Sequence, residues 1–253
     1  MVAIFRITSA SILFGAAISL SAVAANETCR TSSYYDITLT GVALQFDRKT
    51  APPQRLGMRR GALSVDNTAV ALGAVDRQRV ATFETRVRDL VPKIKTIAAH
   101  GVDLMVLAIR EEAAKASPNS AANPQINARV DARARELKLK IANSVTSKEW
   151  HAEALQGYMA ALLSDVAPLI AGDLAQQAVD RTLKGDLAGV VALKERAIAL
   201  RASLETRIRD KLELLQPEIA KLCPSLRELD RLETGMTQGL PDGTRLNLIK
   251  VDS

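Results

Sequence analysis

The sequence predicts an α+β protein in which a small N-terminal antiparallel sheet packs against a bundle of long, kinked amphipathic helices. Three observations support this fold class. Apolar residues alternate with a two-residue period before residue 75, and from Asp76 onward they recur at helical spacing. Aromatic residues make up only 3% of the chain, which favours helices packed by aliphatic side chains. We expect one domain over 26–236, β-rich at 26–75 and helical at 76–236.

The first 25 residues have the pattern of an export signal. Arg6 is the only charge before a run of small and apolar residues at 7–25, whose hydrophobic part is too short to span a bilayer. Small residues at spacing two predict cleavage after Ala24 or Ala25. An uncleaved N-terminal anchor is the alternative, which the serines in the run disfavour. No later stretch approaches the ~18 uninterrupted apolar residues of a membrane helix, so we expect no transmembrane segment after cleavage.

The β-rich part begins with two short strands. In residues 36–46 (DITLTGVALQF), two apolar sets of period two meet at Gly41, where the phase slips as a bulge or turn requires. The segment 48–57 contains two prolines and several charged residues, and it is predicted to be a loop.

Residues 61–72 (GALSVDNTAVAL) predict a β-hairpin. Asp66 and Asn67 are residues that tolerate positive φ in a two-residue turn. This register places Leu63 opposite Val70 and puts the larger apolar side chains on one face. Only that face of the sheet needs to be covered by the helices.

The first helix is predicted to start near Asp76 and to contain about 35 residues, or to be two helices in series. Pro92 lies inside its apolar stripe and removes one backbone donor, so we expect a kink there. The linker 114–124 closes this element. Asn123 is the predicted N-cap of the second helix, with a proline in the first turn.

Two further helices are predicted after the second. One begins near 146–149 (TSKE), which has capping-box spacing. The tetrapeptide GDLA occurs at 172–175 and 185–188, where we expect each glycine to end a helix and each aspartate to cap the next. A final long helix is predicted from about Leu187 to Cys223, kinked or restarted at Pro217.

The C-terminal residues 237–253 are predicted to form a tail or an additional strand on the sheet. Residues 238–243 (QGLPDG) have the composition of a turn. We expect the inner part of the segment, 246–251, to be ordered.

The chain carries a net charge of +6, but its charge pattern does not favour nucleic-acid binding. Basic residues alternate with acidic ones, which is typical of solvated helix faces. One stripe of the second helix carries Arg129, Arg133 and Lys140, with Glu136 among them. Their aliphatic stems can cover the edge of the core, and contact with anionic lipid head groups is the alternative function.

No pattern in the sequence predicts catalytic, cofactor-binding or metal-ligating residues. His100 and His151 are the only histidines, and neither has a partner at ligand spacing. The nucleophile elbow and the phosphate-binding glycine loops are absent. A folded pair of carboxylates for glycoside hydrolysis stays open, although Trp150 is the only tryptophan available for a sugar platform.

The order of motifs resembles that of a known family. An export signal precedes a cysteine, the strand motif DITLT and a hairpin; FETRVRDLVPKIKTIA, further helices and a late cysteine in IAKLCPSL follow. This arrangement, over about 29–236, resembles the YggN family of proteobacterial envelope proteins, a family of unknown function. The resemblance implies a periplasmic location and an α+β fold, and it implies no activity. The tail after Gly239 lies outside this resemblance.

We therefore expect a non-catalytic periplasmic protein that acts by binding another protein of the cell envelope. The alternative is a carrier in which the helices enclose a lipid or another hydrophobic ligand. A hydrolase whose site has no sequence motif is the third possibility.

Cys29 and Cys223 are the only cysteines, and they lie at opposite ends of the predicted domain. Lipidation of Cys29 would require it to be the first mature residue, but residues 26–28 separate it from the predicted cleavage sites, so we expect no lipoprotein. A nucleophilic cysteine would need a base, and histidines are scarce. In an oxidising compartment the two thiols are expected to form a disulfide.

Overall fold

The computed structural model describes residues 29–116, 123–150 and 152–252, and the predicted signal peptide at 1–25 lies outside them. The fold is α+β, as predicted. The strands are β1 Arg30–Ser32, β2 Asp36–Leu39, β3 Leu44–Asp47, β4 Arg55–Arg59, β5 Ala62–Val65, β6 Thr68–Val70 and β7 Lys250–Asp252. The helices are α1 Ala74–Ala116, α2 Pro124–Asn143, α3 Ala152–Leu183, α4 Leu187–Glu213, α5 Gln216–Ala220 and α6 Cys223–Thr234.

Strands β2 to β6 form an antiparallel meander in sequence order. The predicted hairpin at 61–72 is present, and of the bulge or turn expected at Gly41 the turn is found. The turn around Gly41 separates β2 from β3, and Leu63 lies opposite Val70 across the β5–β6 hairpin. Asp66 and Asn67 adopt positive φ values of 47° and 69°, which the two-residue turn requires.

The predicted loop at 48–57 was wrong in its C-terminal half, because Arg55–Arg59 is the central strand β4. Leu56 pairs with Phe46 on one side and with Val65 on the other. The strand contributes only two apolar side chains, separated by Gly57, and this short alternation was hidden beside the prolines.

The sheet packs one face against the N-terminal half of α1 and forms the first core. The buried side chains come from the sheet, from α1 and α6, and from the C-terminal segment. Phe46 and Phe83 are fully buried and meet edge-to-face, with ring centroids 6.1 Å apart. This contact fixes α1 across the middle of the sheet.

Helix α1 is one continuous helix of 43 residues with Pro92 inside it. The kink expected at Pro92 stays a prediction. The predicted cap of α2 is confirmed: the Asn123 side chain accepts hydrogen bonds from the backbone N–H groups of Gln125 and Ile126, and Pro124 lies in the first turn.

The capping-box prediction at 146–149 was wrong. Ser147–Trp150 form a single 3₁₀ turn, and the Thr146 hydroxyl accepts from the Lys148 N–H instead of the Glu149 N–H. The helix that follows, α3, starts at Ala152. The chain therefore forms a 3₁₀ turn beside strand β2 before α3 begins, and the helix does not start at Thr146.

The GDLA prediction was right at one copy and wrong at the other. Gly185 adopts a φ of 76° after α3, and the Asp186 side chain accepts from the Gly189 N–H at the start of α4. The copy at 172–175 lies in the interior of α3, where Asp173 instead accepts from the side chain of Gln177. The glycine ends a helix only at the copy where the chain must reverse.

The final helix is shorter than the predicted 187–223. Helix α4 ends at Glu213, and Pro217 lies in the first turn of the short helix α5. A third helix, α6, follows from Cys223 to Thr234. Pro217 therefore restarts the helix, which is one of the two outcomes expected.

The C-terminal segment is an ordered part of the first core. Leu246, Leu248 and Ile249 are buried. Strand β7 pairs antiparallel with β1 in a separate two-stranded sheet and does not extend the five-stranded one. The strand alternative for the C-terminus is thus supported, with β1 as its partner.

The disulfide between Cys29 and Cys223 is confirmed, with the two Cα atoms 5.7 Å apart. It joins the residue before β1 to the first residue of α6. Cys223 is buried, and the bond holds the start of β1 against the start of α6.

The C-terminal half of α1 forms a second core with α2, α3 and α4. Its fully buried side chains include Ile109, Ile170 and Leu204. Between the two cores, residues 91–100 of α1 contain no fully buried side chain. We call this stretch of α1 the neck.

Candidate ligand-binding pocket

A pocket of about 290 Å³ lies beside the neck. It is bounded by β2, by α1 and by the connection from α2 to the 3₁₀ turn. Its apolar wall consists of Ile37, Leu39, Val91, Ile94 and Val145. We call this cavity the neck pocket.

The neck pocket exists because the edge of the sheet is joined to the connection after α2. Strand β2 is an edge strand, whose free N–H groups need partners. The Leu39 N–H donates to the Val145 carbonyl over 2.8 Å, and the Ile37 N–H donates to the Ser147 hydroxyl over 2.9 Å. These bonds join β2 and the connection into one continuous wall, and the pocket lies between this wall and Val91, Ile94 and Lys95 of α1.

Among the described residues of the pocket lining, Lys95 is the only one with a charged side chain. Its ammonium donates to the carbonyl oxygens of Ala142 and Ser144 over 2.7 and 2.8 Å, at the C-terminal end of α2. Cations are favourable at this end of a helix, because its last carbonyl groups lack intrahelical donors. Among the described residues, no carboxylate lies within ion-pair distance of Lys95.

The basic residues predicted from the second helix lie elsewhere, along the contact of α2 with α3. Arg133 donates to Asp165 and also bonds Glu136, while Arg129 lies 3.7 Å from Asp165. Lys140 lies 3.0 Å from Glu136. The hydrogen bond from Arg133 to Asp165 raises the pKa of the Arg133 guanidinium.

Two carboxylates therefore bind the three cations of this stripe. Lys140 also lies over the ring of Tyr158, 5.1 Å from its centroid, beside a small cavity of about 70 Å³. The residues predicted to contact an anionic surface thus have internal partners, and that contact stays a prediction. The side chain of Trp150 and residue His151 lie outside the described residues.

Two buried carboxylates fasten the C-terminal segment to the first core. Asp76 accepts hydrogen bonds from the N–H and hydroxyl of Thr237, from the Gln238 N–H and from Arg79. Burial alone would raise the pKa of Asp76, but these hydrogen bonds outweigh it and lower the pKa to about 2.

For Glu233, the effect of burial on the pKa exceeds that of the hydrogen bonds. The Glu233 carboxylate accepts from the backbone N–H groups of Leu248 and Ile249. Burial nevertheless dominates and raises its pKa to about 7. Both carboxylates point to backbone groups of the same chain rather than to a cleft.

The described residues contain no group of three or more histidine, cysteine, aspartate or glutamate side chains placed to hold a metal ion. His100 lies on the opposite side of the neck, where its Nδ1 is 2.8 Å from Glu218. This pair is exposed and does not line any of the cavities named above.

One helix in the described part of the chain, at Gly157–Leu183, is long and apolar enough to cross a membrane by length and composition. One face of this stretch contributes Leu162, Leu163 and Val166 to the second core. Core helices of folded proteins satisfy the same criterion, so the finding alone does not assign a membrane segment.

A family model described as a protein of unknown function (DUF2884) matches residues 29–249. The chain belongs to this family. The match begins at the disulfide-bonded Cys29 and extends past Gly239 to Ile249, so the family includes the C-terminal segment that the sequence resemblance left out. Comparisons with curated proteins and with solved structures found no significant match.

The neck pocket could not be identified from the sequence, because its walls come from three distant segments. Val91 and Ile94 lie on the partly buried side of α1, and no fully buried residue follows until Gly101. This pattern of burial is visible only in the structure. Val145 follows the end of α2 and is exposed.

Proposed function

We propose that this chain is a non-catalytic binding protein of the bacterial periplasm and that the neck pocket holds a small hydrophobic ligand. The observation that carries the proposal is an open, largely apolar cavity beside the neck, whose side chains Ile37, Leu39, Val91 and Ile94 lie at the edge of the first core. Its volume is at the lower end of the range for small-molecule sites. Export rests on the leader pattern at 1–25, with cleavage after Ala24 or Ala25, and on the disulfide, which is favoured in oxidising compartments.

The distribution of polar groups supports binding over catalysis. Among the described residues, the pocket lining has one charged side chain and no histidine, and the hydroxyl groups of Ser147 and Thr146 accept from the N–H groups of Ile37 and Lys148. A hydrolase would need a base, a nucleophile or a carboxylate pair converging on one point. The neck pocket offers apolar contact area instead.

Native mass spectrometry of protein purified from the periplasm tests this function. The expected result is a bound species that is released by organic solvent and identified as a hydrophobic small molecule. Ala142→Trp fills the pocket from the exposed end of α2 and is expected to remove the bound species. Ala132→Trp, at an exposed position of the same helix outside the pocket, is the matched control.

A second candidate function, binding of another envelope protein, is supported by an exposed apolar surface where α3 turns into α4. Leu183 is 82% exposed and Leu187 is 68% exposed, and Val179 and Val191 are exposed beside them. Clusters of exposed apolar side chains are typical of interaction sites. Crosslinking in intact cells with a photoreactive residue at position 187 would capture a partner here; capture of nothing would contradict this second function.

The periplasmic location has its own test. Amino-terminal sequencing of the protein from cells is expected to begin at Ala25 or Asn26. A protein that retains Met1 and fractionates with the membrane would contradict export with cleavage.

A further inference from the structure

We propose that the ligand of the neck pocket is an anionic amphiphile, with one apolar chain against the pocket wall and a carboxylate or phosphate head group at Lys95. This inference rests on the proposed function of the pocket and adds the chemical class of its ligand. It combines the shape of the apolar wall with the position of Lys95, whose ammonium pairs with none of the described carboxylates.

The apolar part of the ligand is a single chain. The wall is formed by branched aliphatic side chains from β2, from two turns of α1 and from Val145. These residues offer no aromatic ring for stacking and few polar groups for a rigid polar ligand. A cavity of about 290 Å³ admits one flexible chain but not the bulk of a two-chain lipid.

Lys95 determines the head group. Its ammonium has three donors, and two of them are bound by the carbonyl oxygens of Ala142 and Ser144. These bonds hold the charge in place without neutralising it, because a carbonyl oxygen carries only a partial charge. The third donor is available to a ligand, and an anionic oxygen gives the stronger, charge-assisted bond.

The surrounding charges favour an anion over a cation. The nearest basic side chain along the connection is Lys148, which lies 3.7 Å from Asp36 and is therefore paired. On α1, the preceding basic residue on the same side of the helix is Arg88, and its guanidinium bonds Glu84. Lys95 is thus the group that a bound head group would meet, and a cationic head group would be repelled by it.

Isothermal titration of the mature protein with ligands of one chain length tests the head-group preference. Dodecanoate, dodecyl phosphate and dodecyltrimethylammonium are compared below their critical micelle concentrations and dodecanol below its solubility limit, with inorganic phosphate alone as a further probe. We expect both anionic amphiphiles to bind at least about tenfold more tightly than dodecanol, and the cation to bind more weakly still. The ratio of the affinities for dodecanoate and dodecyl phosphate identifies which anionic group is preferred.

Lys95→Met keeps the apolar stem of the side chain and removes its charge. It is expected to abolish the preference for the anionic ligands while leaving the affinity for dodecanol unchanged. Lys93→Met, at an exposed position on the same turn of α1, is the control and is expected to leave the preference intact. If Lys95→Met does not fold, the comparison of the four ligands on the wild-type protein still tests the head-group preference.

The outcomes separate this inference from the proposed function. Equal binding of dodecanol, dodecanoate and the cation, lost in Ala142→Trp, would overturn the head-group assignment and leave the pocket as a binding site. Binding of inorganic phosphate as tight as that of dodecyl phosphate would overturn the role of the chain. Absence of binding by all the amphiphiles would contradict the proposed function itself.

Discussion

The backbone N–H of Leu39 donates to the carbonyl oxygen of Val145 over 2.8 Å, and this bond joins the edge of the sheet to the connection that follows α2. Leu39 packs against the first core, Val145 lies in the connection after α2, and the two residues are more than 100 positions apart in the chain. The pocket wall therefore depends on contacts that bridge the neck. Weakening the bridge is expected to affect stability and ligand binding together.

Ser147→Ala tests this coupling. The substitution removes the hydroxyl that accepts from the Ile37 N–H, so we expect a loss of about 1 kcal/mol in the free energy of unfolding. Urea denaturation measures that loss, and titration with dodecanoate is expected to show weaker binding. Ser164→Ala, at an exposed position of α3, is the control, and equal effects of the two variants would contradict the bridge.

The disulfide contributes to stability by closing a long loop. Its two cysteines are 194 residues apart, so the Cys29→Ser, Cys223→Ser double variant is expected to lose about 2–5 kcal/mol of unfolding free energy. Chemical denaturation measures the difference. Ellman titration of the denatured, unreduced wild-type protein should find no free thiol, and two reactive thiols would refute the bond. A reductant should leave the stability of the double variant unchanged.

Glu233 predicts a pH dependence of stability. Its pKa in the folded protein is about 7 against an ordinary value of 4.5, so the folded state binds this proton more tightly than the unfolded state. The resulting stabilisation is complete below pH 4.5 and is lost as the pH rises through 7, with an amplitude of about 3 kcal/mol. Denaturation curves between pH 5 and pH 8 measure it.

Glu233→Gln is the variant that isolates this effect. It removes the titrating proton while keeping an oxygen that can accept from Leu248 and Ile249, so the pH dependence between pH 5 and pH 8 should flatten. Glu228→Gln, which changes a partly exposed carboxylate paired with Arg86, should keep the wild-type slope. A Glu233→Gln protein with an unchanged slope would assign the dependence to another group.

Asp76 predicts a different behaviour, because its carboxylate is stabilised in the charged form. Asp76→Ala leaves the N–H groups of Thr237 and Gln238 without their acceptor, and we expect a loss of about 2–4 kcal/mol in the free energy of unfolding. Hydrogen exchange should show faster exchange in residues 237–249. Unchanged protection of that segment would mean that its apolar contacts alone hold it.

The elements whose turn or cap is determined by local sequence were predictable. The β5–β6 hairpin carries its turn residues at Asp66 and Asn67, and α2 carries its cap at Asn123, so local chemistry determines both. The cysteine pair was equally predictable, because a chain with two cysteines in an oxidising compartment has one possible intramolecular bond.

The errors occurred where tertiary contacts override local signals. Strand β4 has too few apolar residues to be recognised alone, and its neighbours β3 and β5 impose its extended conformation. The glycine at 172 lies inside α3 because that helix packs continuously against the second core. The neck pocket was unpredictable for a related reason, because it is a space between three segments that are distant in the sequence.

Photolabelling tests the central claim, that the neck pocket is the ligand site, most directly. An alkyl carboxylate bearing a diazirine in its chain is photolysed with the mature protein, and labelled peptides are mapped by mass spectrometry. We expect labels on α1 near Val91 and Ile94 and on residues 142–147, and their loss in Ala142→Trp but not in Ala132→Trp. Labels concentrated at Leu183 and Leu187, unchanged by Ala142→Trp, would contradict the claim and assign binding to the surface between α3 and α4.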